Sequence, residues 1–153
     1  MDTKKIRLED LAPVIEEELA SGGCFEINIK GTSMLPLLVQ GRDTVVLTAV
    51  TEPLKKYDIP LYRRIDGSFV LHRVVAVNDG TYTMCGDNQW VLEKGVGHSQ
   101  IVGRVCKINR KGKSFDVNNS RYRLYCKVWQ LLLPVRKYIV KAKGKLRKGF
   151  KKK

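Results

Sequence analysis

The sequence predicts a mainly β fold: a compact antiparallel β core with a short helix before it and a basic amphipathic helix after it. Many short stretches alternate apolar and polar residues, as strands do when one face is buried. Turn-forming pairs such as Asp66-Gly67 and Asp79-Gly80 separate these stretches, and such pairs are strong hairpin signals. Many closely spaced short strands are typical of a β-barrel or a β-sandwich.

The predicted elements follow one another without internal repeats. Residues 8–20 predict a helix, because Leu11, Ile15 and Leu19 fall on one helical face and Gly22-Gly23 ends the segment. The strands are predicted from the apolar alternation that follows, at residues 25–29, 44–48, 59–63, 69–77, 81–85 and 101–109.

The positive charge is concentrated at the C-terminus. Of the 29 Lys and Arg residues, 13 lie in residues 121–153, which hold no Asp or Glu; residues 1–120 therefore carry 16 basic against 15 acidic side chains. We expect a nearly neutral domain over residues 1–118 and a basic tail over residues 119–153. The tail predicts an amphipathic helix kinked at Pro134, followed beyond Val140 by a disordered cationic end.

Two interpretations of the tail stay open. Aromatic and aliphatic residues among Lys and Arg are typical of a helix that lies in the interface of an anionic membrane. The alternative is a helix packed on the body with a solvated end. The uncharged run at residues 128–135 is far shorter than the ~20 residues of a membrane span. We therefore expect a cytoplasmic protein, peripheral on the cytoplasmic membrane face; nucleic acid is not expected as a partner, because the body has no basic face.

The cysteine and histidine content predicts no metal site and no cofactor. Cys24, Cys85, Cys106 and Cys126 form no close pair and show no metal-ligand spacing, and there are only two histidines. Each cysteine lies in an apolar or strand-like stretch, so reduced, buried thiols are expected. No secretory signal peptide is recognised at the N-terminus, which agrees with a reducing compartment.

Three polar features suit a hydrolytic site. Ser33 lies in the turn at residues 31–36, where its hydroxyl and its own N–H can face the same space, as a nucleophile and an oxyanion donor require. His72 lies in an apolar stretch, and Asp87 lies in the turn Gly86-Asp87-Asn88. A serine hydrolase needs a hydroxyl, a base and a group that orients the base. Each residue alone is more often structural, so the signal is their combination.

These segments resemble the sequence boxes of signal peptidase I and of the self-cleaving SOS repressors. Gly31-Thr32-Ser33-Met34-Leu35-Pro36 is similar to their Gly-x-Ser-Met-x-Pro nucleophile box. His72-Arg73 is similar to the base box, which reads Lys-Arg in ordinary bacterial signal peptidases and His-Arg in the ER, archaeal and sporulation-type enzymes. The resemblance covers roughly residues 25–106. Two further segments match with a departure: residues 41–45 have Arg42 inserted, and Tyr57-Asp58-Ile59 stands where those families have Gly-Asp-Ile/Val. The remaining matching segments are Gly86-Asp87-Asn88 and residues 101–105.

The resemblance implies a coiled antiparallel β catalytic core with Ser33 as the nucleophile and His72 as the general base. Asp87 is the expected third catalytic member. Glu93 is the alternative acid, because ER-type enzymes carry a second acid near this position. The family binds an extended peptide by adding it to a strand, so a peptide or precursor protein is the expected partner.

The resemblance also implies an oxyanion site beside the nucleophile. Met34 would shape that site, and the Ser33 N–H would donate to the oxyanion. Many bacterial members have a hydroxyl residue two places before the nucleophile as a second donor. That position is Gly31 here, so either Thr32 or a backbone group is expected to replace the donor.

The function expected from these residues is a serine endopeptidase that cleaves a leader or signal-like segment through a Ser–His(–Asp) acyl-enzyme. The alternative is a catalytically idle adaptor that uses the same fold to bind peptides or a membrane. A regulator like the SOS repressors is a third reading, but no helix-turn-helix precedes the catalytic region. With a histidine base, activity is expected to rise with pH through about 6.5.

Overall fold

The computed structural model describes residues 6–150, which form a mainly β structure with a helix at each end. The elements of this part of the chain, in order, are α1 (Leu8–Ala20), β1 (Phe25–Asn28), β2 (Thr44–Thr48), β3 (Pro60–Arg63), β4 (Phe69–Leu71), β5 (Arg73–Asn78), β6 (Thr81–Cys85), β7 (Glu93–Gly97), a 3-10 turn (His98–Gln100), β8 (Ile101–Arg110), β9 (Lys113–Asp116), α2 (Ser120–Leu131) and α3 (Leu133–Phe150).

The strands form two antiparallel sheets. The larger sheet has the order β1-β2-β8-β3-β4, with β9 pairing to β8, and the smaller sheet has the order β5-β6-β7. The turns Asp66-Gly67 and Asp79-Gly80 connect the hairpins β3–β4 and β5–β6, as predicted. Each glycine has a positive φ, which a tight hairpin turn requires at that position.

The chain passes from one sheet to the other at His72. The sequence predicted one strand over residues 69–77, but β4 ends at Leu71 and β5 begins at Arg73. β4 pairs with β3 in the larger sheet, whereas β5 pairs with β6 in the smaller one. Apolar residues continue through both strands, so the sequence pattern alone did not reveal the change of sheet. His72 therefore lies at the junction between the two sheets.

The main core lies between the larger sheet and the flanking helices. Ile15 and Leu19 of α1 pack against buried strand residues such as Val45 and Leu47. From the other end of the chain, Tyr122 and Cys126 belong to the same apolar cluster. The smaller sheet has its own cluster, which consists of Leu54, Tyr62, Val74, Tyr82, Met84 and Val96.

The first half of the tail packs on the body. The Asn119 side chain accepts hydrogen bonds from the Arg121 and Tyr122 N–H groups and so caps α2. Tyr122, Cys126 and Trp129 of this helix are buried. This is the packing that the second interpretation of the tail predicted.

The end of the tail differs from the expectation of disorder beyond Val140. α2 ends at Leu131, and α3 then runs from Leu133 to Phe150. The break agrees with the predicted kink at Pro134, which has no N–H to continue the α2 hydrogen bonds. Lys, Arg, Leu and Ala favour helices, and Gly144 and Gly149 each cost only about 1 kcal/mol. The last three lysines of the predicted cationic end lie outside the described residues.

The four cysteines are free thiols, but not all are buried as expected. Cys85 and Cys126 are buried, Cys106 is half-buried, and Cys24 is exposed just before β1. Among residues 6–150, no helix combines the length and the apolar character that crossing a bilayer would require.

Candidate active site

Ser33 lies in a tight turn that directly follows the edge strand β1. The Leu35 N–H donates to the Thr32 carbonyl, and the Leu38 N–H donates to the Met34 carbonyl, so the turn winds around the serine. Ser33 itself is half-buried, while the Met34 side chain next to it is almost fully buried. The turn thus anchors its backbone in the core and leaves the Ser33 hydroxyl near the surface.

The turn Gly86-Asp87-Asn88 lies directly against the Ser33 backbone. The Asn88 N–H donates to the Ser33 carbonyl oxygen at 2.8 Å. A Cβ placed on Gly86 would lie 2.6 Å from the same oxygen, a distance that real side chains do not tolerate. Glycine at this position therefore permits the close approach of the two turns.

His72 is held by a chain of polar side chains that the sequence did not reveal. It is 4% exposed, and its Nδ1 lies 3.3 Å from the Tyr62 hydroxyl. That hydroxyl donates to Glu93 at 2.7 Å. Arg64 in turn donates twice to the Glu93 carboxylate, at 2.9 and 2.8 Å.

This series of hydrogen-bonded side chains fixes the His72 tautomer. Because a tyrosine has one hydroxyl proton and Tyr62 gives it to Glu93, the Tyr62 oxygen can only accept from His72. Nδ1 then carries the ring proton, and Nε2 has a free lone pair. Nε2 with a free lone pair is the form that a general base requires.

Asp87 is placed differently from what a Ser–His–Asp triad requires. Its carboxylate is fully buried and accepts two hydrogen bonds from the Arg73 guanidinium, at 2.8 and 2.9 Å, and one from Tyr125 at 2.8 Å. Among residues 6–150, no hydrogen bond joins Asp87 to His72. Glu93, the alternative acid, is connected to His72 indirectly, through Tyr62.

The C-terminal helices hold the Asp87 turn from its other side. The Trp129 indole N–H donates to the Asp87 carbonyl at 2.7 Å. The buried Arg136 of α3 donates to the Gly86 carbonyl at 3.4 Å and to the Trp129 carbonyl at 2.6 Å. These contacts link α2 and α3, through the turn, to the backbone of Ser33.

Ser33 and His72 line one cavity of about 450 Å³, together with Met34. The cavity runs between β1 and β4, the two outer strands in the larger sheet's main order. Thr32, the other predicted oxyanion residue, is exposed and does not line it. Among the described residues, no hydrogen bond joins the Ser33 hydroxyl to His72. Such bonds often tighten only when substrate binds.

The environment of His72 changes the expected pH dependence. Burial, assisted by the positive charge of Arg64, lowers its pKa to about 4, against the opposing effect of Glu93 and Asp87. A general base acts when it is neutral, so a rate that depends on His72 as the base is expected to rise with pH through about 4 rather than through the ordinary imidazole value of ~6.5. The measurement is the rate constant for reaction of Ser33 with a fluorophosphonate between pH 3.5 and 8.

A matched control separates His72 from a lysine base. Lys30 also lines the cavity but is exposed, and its ammonium donates to the Ile6 carbonyl at 3.4 Å. Lys30→Met should leave the pH profile unchanged. A pH–rate profile with its midpoint near 6.5 would mean that His72 is solvated in the free protein, which would contradict the burial described above.

Sequence reasoning missed three residues that face this cavity or support its base. Tyr62 fell inside the predicted strand over residues 59–63, and Arg64 directly after it, without a role for either side chain. Gln89 follows the Gly86-Asp87-Asn88 turn and lines the cavity. Alternation along residues 59–63 puts Tyr62 on the face opposite Ile59 and Leu61, so it gave no signal that Tyr62 is buried as well. Neither a protein-family model nor a curated protein matches the chain.

Proposed function

We propose that this chain is a serine endopeptidase that cleaves a leader or signal-like segment of a protein or peptide. The observation that carries the proposal is that Ser33 and His72 line one cavity while Nε2 of His72 has a free lone pair. The backbone at Tyr57 adds support. Its φ of 81° favours glycine, which is the residue that the resembled families have at this place.

The reaction would proceed through an acyl-enzyme on Ser33. His72 Nε2 takes the hydroxyl proton as Ser33 Oγ attacks the scissile carbonyl carbon. The imidazolium then gives that proton to the amine nitrogen as the C–N bond breaks. Water attacks the ester, His72 takes its proton, and the proton returns to Ser33 Oγ as the new carboxyl group leaves.

The residues around His72 and the Asp87 turn have different roles in this proposal. Tyr62, backed by Glu93, holds the His72 tautomer and stabilises the imidazolium. Asp87 instead keeps the turn that positions Ser33, through its buried pair with Arg73. Asp87 is therefore a positioning residue rather than the direct partner of the base.

The Ser33 N–H is one oxyanion donor in this proposal. Among residues 6–150, it donates no hydrogen bond of its own. We assign the second donor to the side-chain amide of Gln89 rather than to Thr32. The Gln89 amide oxygen lies 2.9 Å from the Cβ position of Gly86, beside the Ser33 carbonyl, and Gln89 lines the cavity.

Substrate would bind as an extended strand. Within residues 6–150, β1 pairs only with β2 and β4 only with β3, so in this part of the chain each has an open edge toward the cavity. A peptide can add to such an edge by main-chain hydrogen bonds, with its alternate side chains in pockets. This mode suits leader segments, which are exposed and unfolded before cleavage.

Digestion of a proteome-derived peptide library tests the proposal. The full chain should produce new peptide termini that Ser33→Ala does not produce. The adaptor alternative predicts no new termini with either protein, with peptides retained equally by both. New termini produced equally by both proteins would mean that Ser33 is not the nucleophile.

We also propose that the outer face of α2 and α3 binds an anionic membrane. The two helices carry a continuous exposed apolar stripe at alternating spacings of four and three residues, which consists of Leu124, Val128, Leu131, Val135 and Tyr138. Leu131 is 79% exposed and Tyr138 is 70% exposed. The stripe lies opposite the buried face with Trp129 and among Lys and Arg residues, as in an interfacial helix.

Co-sedimentation with vesicles tests this second proposal. The full chain should bind anionic vesicles strongly and zwitterionic ones weakly, and salt should weaken binding because the Debye length is only ~8 Å at physiological ionic strength. Leu131→Ser and Tyr138→Ser should each lower binding by about tenfold or more, because each loses apolar burial. Ile65→Ser, at a fully exposed apolar residue in the β3–β4 turn, is the matched control. Equal binding of all four proteins would exclude the stripe as the membrane contact.

A further inference from the structure

A second cavity adjoins the first at His72. Its volume is about 520 Å³, and it is lined by residues 88–93 together with Arg64 and His72. His72, Arg64 and Gln89 line both cavities, whereas Ser33 lines only the first. The two cavities therefore meet at a wall that includes His72.

The outer wall of the second cavity is apolar and exposed. Trp90 is 37% exposed, Val91 is 73% exposed and Leu92 is 40% exposed, and the three are consecutive between the Asp87 turn and β7. A contiguous exposed apolar wall beside polar groups is typical of a surface that binds a partner. The charged groups among its lining residues are Arg64 and Glu93, which neutralise each other at 2.8 Å. The cavity thus offers no unpaired charge to a ligand.

We propose that this cavity binds the substrate residues that follow the scissile bond, and that it selects an apolar side chain there. The inference rests on the proposed peptidase function. During the reaction the acyl half of the substrate is bonded to Ser33, and the leaving amine takes its proton from His72. The acyl half must therefore lie on the Ser33 side, in the first cavity. The leaving half continues past His72, into the cavity that His72 lines and Ser33 does not.

The apolar composition of the wall indicates which kind of substrate residue it would bind. Contact with an apolar substrate side chain removes the apolar surface of the indole and of the two aliphatic side chains from water, which favours binding. A charged substrate residue would lose its hydration there without gaining a partner. Apolar pockets discriminate between side chains by about 10- to 200-fold. We therefore expect cleavage before a large apolar residue, in a segment that stays apolar on the C-terminal side of the cut.

The peptide library tests this when both sides of each cleaved bond are mapped. The wild-type chain should favour a large apolar residue directly after the cut. Trp90→Ala should reduce that preference about tenfold and leave the preference before the cut unchanged. Val91→Asp, at a more exposed position, should do the same even if Trp90→Ala folds poorly. Ile65→Ala, at a more exposed apolar residue of the β3–β4 turn that lines neither cavity, should change neither side.

The failures are distinguishable. Cleavage with no preference after the cut, or a preference that survives both Trp90→Ala and Val91→Asp, overturns the second cavity as the leaving-group site and leaves the peptidase intact. Absence of Ser33-dependent cleavage overturns the peptidase and this inference with it. Lower binding of Trp90→Ala to anionic vesicles, with an unchanged cleavage profile, would instead identify the apolar wall as a lipid contact and overturn the inference.

Discussion

Alanine at either Ser33 or His72 is expected to lower the rate of library cleavage by on the order of 10⁴-fold or more, and alanine at both positions by little more. In the proposed mechanism the nucleophile and its base act as one unit, because the hydroxyl is a weak nucleophile without proton removal and the base has no other task. The measurement is the initial rate of appearance of new peptide termini for the two single variants and the double variant.

The other histidine provides a close control. His98 also has its Nδ1 beside a tyrosine hydroxyl, 3.1 Å from Tyr82, but it lines neither of the two cavities beside Ser33 and His72. His98→Ala should therefore retain nearly full activity. Normal cleavage by His72→Ala, or multiplicative losses in the double variant, would show that the two residues do not form one unit.

Replacement of Asp87 by asparagine is expected to lower the free energy of unfolding by about 3–5 kcal/mol, because it leaves the Arg73 guanidinium buried without its charge partner. Arg73 is 2% exposed and donates two hydrogen bonds to Asp87. Chemical denaturation measures the loss. The same variant should lose cleavage activity, since the Asp87 turn holds the Ser33 carbonyl through Asn88.

Asp66→Asn is the matched control for this prediction. Asp66 is exposed and accepts hydrogen bonds only from Ser68 within its own turn, so its loss should change stability by no more than about 0.5 kcal/mol. Unchanged stability of Asp87→Asn would mean that the Arg73–Asp87 pair does not organise the turn. If Asp87→Asn is as stable as the wild-type chain but inactive, Asp87 has a direct role in catalysis.

The local structure of this chain was largely predictable from sequence. Apolar periodicity placed α1 over residues 8–20 and strands such as β2 and β6 at their observed bounds. The hairpins at Asp66-Gly67 and Asp79-Gly80 also follow from turn chemistry. β7 was missed, because Glu93–Gly97 contains two glycines and no clear alternation. β9 was missed because it is short and mostly polar.

The contacts that organise the site could not be predicted, because they join distant segments. The Tyr62 hydroxyl reaches Glu93 across 31 residues, and Trp129 reaches Asp87 across 42. Arg73 and His72 are adjacent, so nothing local in the sequence indicates which of the two pairs with Asp87. The resemblance to the sequence boxes named these segments but did not specify which of their side chains pair.

The tail shows the same division between local pattern and distant contact. The sequence pattern predicted two helical faces, one with Tyr125, Val128, Trp129, Leu132 and Arg136 and the other with Leu124, Leu131, Val135 and Tyr138. Val128 does not belong to the buried face, because it is 47% exposed. The pattern could not tell which face meets the body. The structure places the Trp129 side inward, against the Asp87 turn. Truncation after Asn119 would therefore remove part of the core as well as any membrane contact, and single substitutions on the outer face are the better probe.

The central claim, that Ser33 is a nucleophile activated by His72, is tested most directly by fluorophosphonate labelling. The full chain is incubated with the probe near neutral pH, and the modified residue is located by mass spectrometry of its peptides. The account predicts one adduct per chain, on Ser33, that is lost in Ser33→Ala and greatly slowed in His72→Ala but retained in His98→Ala. An unlabelled wild-type chain, or an adduct on Ser33 that forms equally fast without His72, would contradict it.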